Sequence, residues 1–195
     1  MILTDYDKQL DQNKLETKLE DTALINQVLN GNQNSFAILL DKYESAIYRY
    51  SLSILNRNIQ DAEDCTSETF FKAYKNLASY KSDYKFSSWL YRIAHNNAVN
   101  IIKSKQGFFT IDIDDLWFIP SKSKSESLLT TFELEKVLNQ LKLNDRNILV
   151  LFYLEGKSLK EISDILNLTE NTIAQKLTRA RKRARELVTK TNIKP

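Results

Sequence analysis

Three glycines and two prolines in 195 residues set the first limit on what this chain can fold into. Tight turns draw on these residue types, and an all-β sandwich needs a turn about every ten residues. So small a supply argues for helices joined by short polar links. It also excludes the glycine-rich loops that cradle nucleotide phosphates. Apolar residues make up 42% of the chain and charged residues 27%, the composition of a protein that folds. One Cys and one His exclude a disulfide framework and a Cys/His zinc site. No apolar run approaches the roughly 20 residues of a membrane span. The start, Met1 to Asp7, lacks the basic-then-apolar pattern of a secretion signal. The expectation is an all-α, cytoplasmic protein without metal or cofactor.

The net charge of +3 conceals a segregation. Residues 1–64 carry a net −5, 65–105 a net +5, 106–141 a net −3 and 142–195 a net +6. Two basic regions divided by an acidic stretch suit two contact points on one polyanion, which makes nucleic acid the expected partner.

Hydrophobic spacing organises the chain. Residues 1–21 have weak periodicity and read as a loosely ordered polar leader. Asp21 is a candidate N-cap for a short helix ending at Gly31. A second helix starts near Asn34, with Phe36, Leu39, Leu40, Tyr43, Ile47, Tyr50 and Ile54 at helical spacing. A third runs from about Ile59 to Leu77, burying Ala62, Cys65, Thr69, Phe70, Ala73 and Tyr74. Its opposite face carries Asp61, Asp64, Glu68, Lys72 and Lys75. After a loop, Ser87 is the expected cap of a fourth helix with Trp89, Leu90, Ile93, Ala94, Ala98 and Ile101 inside. Residues 106–125 lose all period and read as a linker. It is apolar for one (Phe108, Phe109, Ile111, Ile113, Leu116, Trp117, Phe118), as if it lay in a groove of a partner. Four more helices are expected: Glu126 to Leu141, Asp145 to Glu155 capped by Asn144, Leu159 to Leu166, and Glu170 to about Val188.

The most specific signal lies in residues 158–183. Ser158 with Glu161 forms a capping box, and Leu159, Ile162, Ile165 and Leu166 give one buried face. Asn167 falls where the chain must turn, in the left-handed conformation that Asn tolerates. Thr169 caps the next helix, which Leu168, Ile173 and Leu177 anchor against the first. This is the pattern of a helix-turn-helix. It leaves Glu170, Asn171, Thr172, Gln175, Lys176, Thr178, Arg179 and Lys182 outside, side chains suited to base edges and backbone. Arg181, Arg183 and Arg185 suit phosphates. In the first basic region Tyr80, Tyr84, Phe86, Trp89 and Tyr91 are interleaved with Lys81, Lys85 and Arg92, a composition that stacks unpaired bases. Trp89 reads as core, and Tyr80 and Tyr84 are the better stacking candidates. His95 reads as a surface polar group and Cys65 as packing.

With these residues placed, the chain resembles the bacterial sigma factors of the extracytoplasmic-function (ECF) group over about residues 22–105 and 130–188. Asp61-Ala-Glu-Asp-Cys-Thr-Ser-Glu-Thr-Phe70 is similar to the family's helix that docks on the clamp coiled coil of RNA polymerase. Trp89-Leu-Tyr-Arg-Ile-Ala-His-Asn96 is similar to the start of the minus-ten-reading helix. Ser158-Leu-Lys-Glu-Ile-Ser163 and Leu177-Thr-Arg-Ala-Arg181 are similar to the minus-thirty-five module. Ser67 stands where the family usually has Gln, Asn167 and Ser163 where it has the turn Gly and a helix Ala. Ala174 and Lys176 replace residues that are commonly basic or Arg.

The resemblance implies two small helical domains: a region 2-like bundle over 22–105 and a region 4-like helix-turn-helix over 126–190, joined by the linker 106–125. It implies polymerase binding through Asp61, Asp64 and Glu68. Minus-ten DNA falls to Tyr80, Tyr84, Lys85, Phe86, Arg92 and Asn96. Minus-thirty-five DNA falls to Asn171, Thr172, Gln175, Lys176, Thr178, Arg179 and Lys182, with Arg181, Arg183 and Arg185 on phosphates. The implied partners are core RNA polymerase (β′ clamp and β flap), promoter DNA and an anti-sigma factor, without membrane insertion and at the nucleoid. The chain would be a specificity subunit and not a catalyst. A stand-alone helix-turn-helix regulator would bind duplex DNA without polymerase, and a helical adaptor would bind neither.

Overall fold

The computed structural model describes residues 5–106 and 137–191, and the regular structure among them is entirely helical. Most of the expected linker, its apolar side chains included, lies outside the described residues, as does the start of the helix expected at Glu126.

Helix α1 spans Asp5–Leu29, so the described part of the expected loose leader is helical. Asp21 is therefore no N-cap. It sits within α1, only 3% exposed, where its carboxylate accepts hydrogen bonds from Tyr43 Oη at 2.5 Å and Lys42 Nζ at 2.8 Å. Few apolar residues mark the first turns of this helix, which is why periodicity did not reveal it. Gly31, at φ +97°, closes the end of α1 by donating its N–H to the Val28 carbonyl.

Helix α2 spans Asn34–Ile54, α3 Ile59–Lys75 with a 3₁₀ turn Leu77–Ser79, and α4 Phe86–Gln106. Asn58 caps α3 by accepting the Asp61 N–H at 3.0 Å. The expected stripes meet: Leu39, Ile47, Tyr50 and Ile54 of α2, Ala62, Cys65 and Ala73 of α3, and Leu90, Ala94 and Ala98 of α4 are all fully buried. Three details differ from expectation. Tyr74 is 41% exposed and rests edge-on against Phe36. Helix α4 starts one residue before Ser87, which falls in its first turn. Tyr91 is 1% exposed, in core and not on a stacking surface.

The second lobe begins with a helical segment over 137–140. Helix α5, Leu143–Leu149, follows and widens into a π-helical turn, Val150–Leu154. Lys142 occupies the N-cap, so Asn144 lies inside α5 and not at its cap. Helices α6, Leu159–Leu166, and α7, Glu170–Thr191, complete it. The two lobes share one apolar core: Ile47, Tyr50 and Ile54 continue into Leu138, Ile148, Leu151 and Ile162. Helix α4 lies along α6.

Candidate nucleic-acid interface

The helix-turn-helix is built as its sequence dictates. Ser158 Oγ accepts the Glu161 N–H at 3.2 Å, while Glu161 Oε2 accepts the Ser158 N–H at 3.0 Å, a reciprocal cap that fixes where α6 begins. Asn167 adopts φ 55°, ψ 47°, the left-handed turn conformation. Thr169 Oγ1 accepts the Thr172 N–H at 3.2 Å and so caps α7. Ile162, Ile165, Ile173, Leu177 and Ala180 lock the two helices together, all buried. Leu168, expected among the anchors, is instead 38% exposed. It lies in the turn before α7, where its N–H donates to the Ser163 carbonyl.

This packing leaves Asn171, Gln175, Thr178 and Lys182 exposed along α7, with Thr172, Lys176 and Arg179 half-buried beside them. The expected phosphate contacts divide. Arg185 is exposed. Arg181 lies over the rings of Phe152 and Tyr153, 5.3 and 5.4 Å from their centroids, and Arg183 pairs with Asp145 at 2.7 Å. The last two thus tie α7 to the π-helical turn and to α5.

The basic region of the first lobe forms a second face. The Tyr80 hydroxyl donates to the Tyr84 carbonyl at 2.7 Å, and the Tyr80 ring packs edge-on against Phe86 and at a tilt against Trp89. Phe86 is 1% exposed, so it supports this aromatic layer from beneath and presents no ring to solvent. Tyr84 is 41% exposed, with the Arg92 guanidinium 5.7 Å from its ring. Asn96 is exposed. Lys85 and Arg92 turn toward the second lobe: Lys85 Nζ donates to Glu161 Oε1 at 2.9 Å, and Arg92 Nε to the Asp164 carbonyl at 2.8 Å. Burial alone would raise the Glu161 carboxyl, but the Ser158 backbone N–H and the Lys85 ammonium outweigh it and hold Glu161 down at about 2.

Asp64 and Glu68 are exposed on α3. They edge an open groove of about 560 Å³ between α3 and α4, whose lining includes Ser67, Phe71, Asn97 and Ile101. Asp61 stands apart and pairs with Lys105 at 2.6 Å.

Two lobes with these faces match two family models: Sigma-70 region 2 over residues 39–108, and Sigma-70 region 4 over residues 131–183. The ECF RNA polymerase sigma factor SigW of Bacillus subtilis is 33% identical over 175 residues, 83% of this chain and 93% of the relative. The chain belongs to the ECF RNA polymerase sigma factors. The ECF sigma-E factor of Escherichia coli is 28% identical over 182 residues, 86% of this chain and 93% of that one. Among solved structures, CnrH in complex with the cytosolic domain of CnrY is 21% identical, with TM-score 0.65 over 87% of this chain and 97% of that one. RpoE bound to the anti-sigma factor NepR from Bartonella quintana is 23% identical, with TM-score 0.61 over 79% and 96%. As a sigma factor, the chain is a regulatory subunit of RNA polymerase that directs promoter-specific initiation, and the stand-alone regulator is not favoured.

Sequence reasoning missed the junction between the sigma factor's lobes. His95, expected at the surface, lies with Nδ1 3.0 Å from Asn147 Nδ2 and 3.4 Å from Tyr50 Oη. Burial lowers its imidazole to about 4, so it is neutral there. Asp145, Arg146 and Asn147 are buried in the short helix α5. That polar trio between Leu143 and Ile148 was the available signal.

Proposed function

We propose that this sigma factor divides its work as the two faces suggest. Residues 22–105 bind polymerase and the minus-ten element, and residues 126–190 bind the minus-thirty-five element. On this reading Asp64 and Glu68 flank the groove that receives the polymerase clamp, with Asp61 at its margin. Asn171, Thr172, Gln175, Lys176, Thr178, Arg179 and Lys182 read or follow the upstream major groove. Tyr80, Tyr84, Lys85, Arg92 and Asn96 hold an unpaired base of the melted downstream element, with Phe86 beneath them. Base capture without ATP requires contacts to the flipped base that offset a few kcal/mol of unstacking. The sigma factor contributes no catalytic step, and its place is the cytoplasm, at the nucleoid. Two structural relatives were solved with CnrY and NepR bound, which supports an anti-sigma factor as a further partner here. No helix among the described residues is long and apolar enough to cross a membrane.

The observation that carries this reading is the capped helix-turn-helix with Asn171, Gln175 and Lys182 exposed on its second helix. Salt-dependent binding to promoter DNA, with and without core polymerase, tests it. Polymerase should confer tight, sequence-selective binding that reaches the downstream element. Equal selectivity without polymerase would mark a stand-alone regulator.

A further inference from the structure

A carboxylate buried among helices is costly unless its partners compensate it. Asp21 of α1 is 3% exposed, and its two oxygens are divided between neighbouring side chains of α2. Oδ1 accepts from Lys42 Nζ at 2.8 Å, and Oδ2 from the Tyr43 hydroxyl at 2.5 Å. Lys42 also reaches Glu20 at 3.3 Å, so its ammonium does not depend on Asp21 alone. Stability by itself does not call for such a group, since an apolar side chain of similar volume is often as good or better. What the carboxylate supplies is direction: it fixes the Tyr43 hydroxyl and, with it, the ring. Burial first, and then the bond to Asp21, raise the Tyr43 phenol far above its ordinary value, so the hydroxyl stays a donor at every working pH.

The Tyr43 ring is the first of four. It leans on Phe86, with centroids 5.7 Å apart, and Phe86 meets Tyr80 edge-on at 5.6 Å and Trp89 at 5.7 Å. Tyr80 and Trp89 complete the layer at 5.6 Å. Tyr80 directly follows the 3₁₀ turn and Phe86 opens α4, so the layer grips both ends of the loop between them. Inside that loop the Tyr80 hydroxyl donates to the Tyr84 carbonyl at 2.7 Å, which ties Tyr84 to the same layer. Helix α1 also touches the 3₁₀ turn Leu77–Ser79 at the start of the loop. Burial, and then the Asp21 carboxylate, raise the Tyr80 phenol to about 12, so the Asp21 charge lies within electrostatic reach of the loop. Rings packed edge-on or at a tilt hold preferred angles, and a shift of one moves the next.

We infer that Asp21 is a positioning residue for the loop that captures the unpaired base: by holding Tyr43 against Phe86, it sets where Tyr80 and Tyr84 stand when the base arrives. Helix α1 carries none of the proposed DNA contacts, yet through this chain of rings it governs how well the downstream element is held. This inference rests on the assignment of Tyr80 and Tyr84 to minus-ten DNA.

Trp89 reports on the layer directly. The other tryptophan, Trp117, lies outside the described residues, and a Trp117→Phe chain has Trp89 as its single indole. In that chain Tyr43→Phe, which removes the hydroxyl and keeps the ring, should shift the Trp89 emission, and so should Asp21→Leu. Holoenzyme formed with core polymerase is then titrated with a single-stranded oligonucleotide, the nontemplate minus-ten strand of a promoter it transcribes. Tyr43→Phe and Asp21→Leu should each weaken that binding about three- to tenfold, within the coupling that packed side chains transmit. Asp21→Asn keeps an acceptor for the hydroxyl and should retain most of the affinity. Holoenzyme binding to the duplex minus-thirty-five element, and comigration with core polymerase, should be unchanged. In a Tyr80→Ala background Tyr43→Phe should add nothing, whereas a general loosening of the fold would add in full. Unchanged Trp89 emission in both variants would overturn the inference. So would undiminished oligonucleotide affinity in both while Tyr80→Ala binds weakly, or a loss that persists in full beside Tyr80→Ala. If Tyr80→Ala itself leaves the affinity unchanged, the minus-ten assignment fails, and the Trp89 emission still decides whether Asp21 sets the aromatic layer.

Discussion

His95 shows how much a single neighbourhood decides. Flanked in sequence by Asn96 and Asn97 it reads as a surface group, yet Tyr50 and Asn147 enclose it and burial lowers it to about 4. A neutral imidazole with a depressed value favours the folded form above its ordinary 6.5. That contribution is lost as pH falls from about 6.5 toward 4, because the exposed ring takes up a proton that the buried one refuses. Glu161, held near 2, adds a loss that begins below about 4.5. Urea unfolding at pH 7 and pH 5 should therefore show lower stability at pH 5, and His95→Gln should reduce the difference by about 1–2 kcal/mol. On the DNA side, Arg179→Ala should weaken upstream-element binding by about 1–3 kcal/mol, as read by fluorescence anisotropy. What the sequence made legible among single residues was local: the caps at Ser158 and Thr169 and the turn at Asn167 each depend on neighbours within a few positions. Tyr91, His95 and Arg146 depend on the other lobe, and no local pattern announces that.

Helices with strong hydrophobic stripes are legible in the sequence, and those without are not. Helix α6 begins and ends at the residues its cap and turn require. Substituting Asn167 by Val, which resists a positive φ, should lower the melting stability of the second lobe by about 1–2 kcal/mol. Ser158→Ala should cost about 1 kcal/mol through loss of the reciprocal cap. Thermal melts followed by circular dichroism measure both. Helix α1 escaped notice because its apolar face starts late, and Asp21 has the look of a cap while serving as a buried acceptor for Tyr43. The cap at Asn144 failed for a related reason: Lys142 starts α5 earlier, so that Asp145, Arg146 and Asn147 all fall inside the helix.

The arrangement of charge is what joins the parts. An acidic first segment and two basic regions were visible in the sequence, and the folded chain places Asp64 and Glu68 on one exposed edge and the basic α7 on another. The lobe-to-lobe contact was invisible because its partners, among them Lys85 with Glu161, Arg92 with the Asp164 carbonyl and Tyr50 with Asn147, lie far apart in the chain. On the proposed assignment of faces, α3 delivers this sigma factor to polymerase. Run-off transcription from a promoter it recognises, with purified core enzyme and the Asp64→Lys, Glu68→Lys double variant, tests it most directly. The account predicts that the wild-type chain yields a discrete transcript and that the double variant, still folded, yields at least ten times less. Undiminished transcript from the double variant would contradict it.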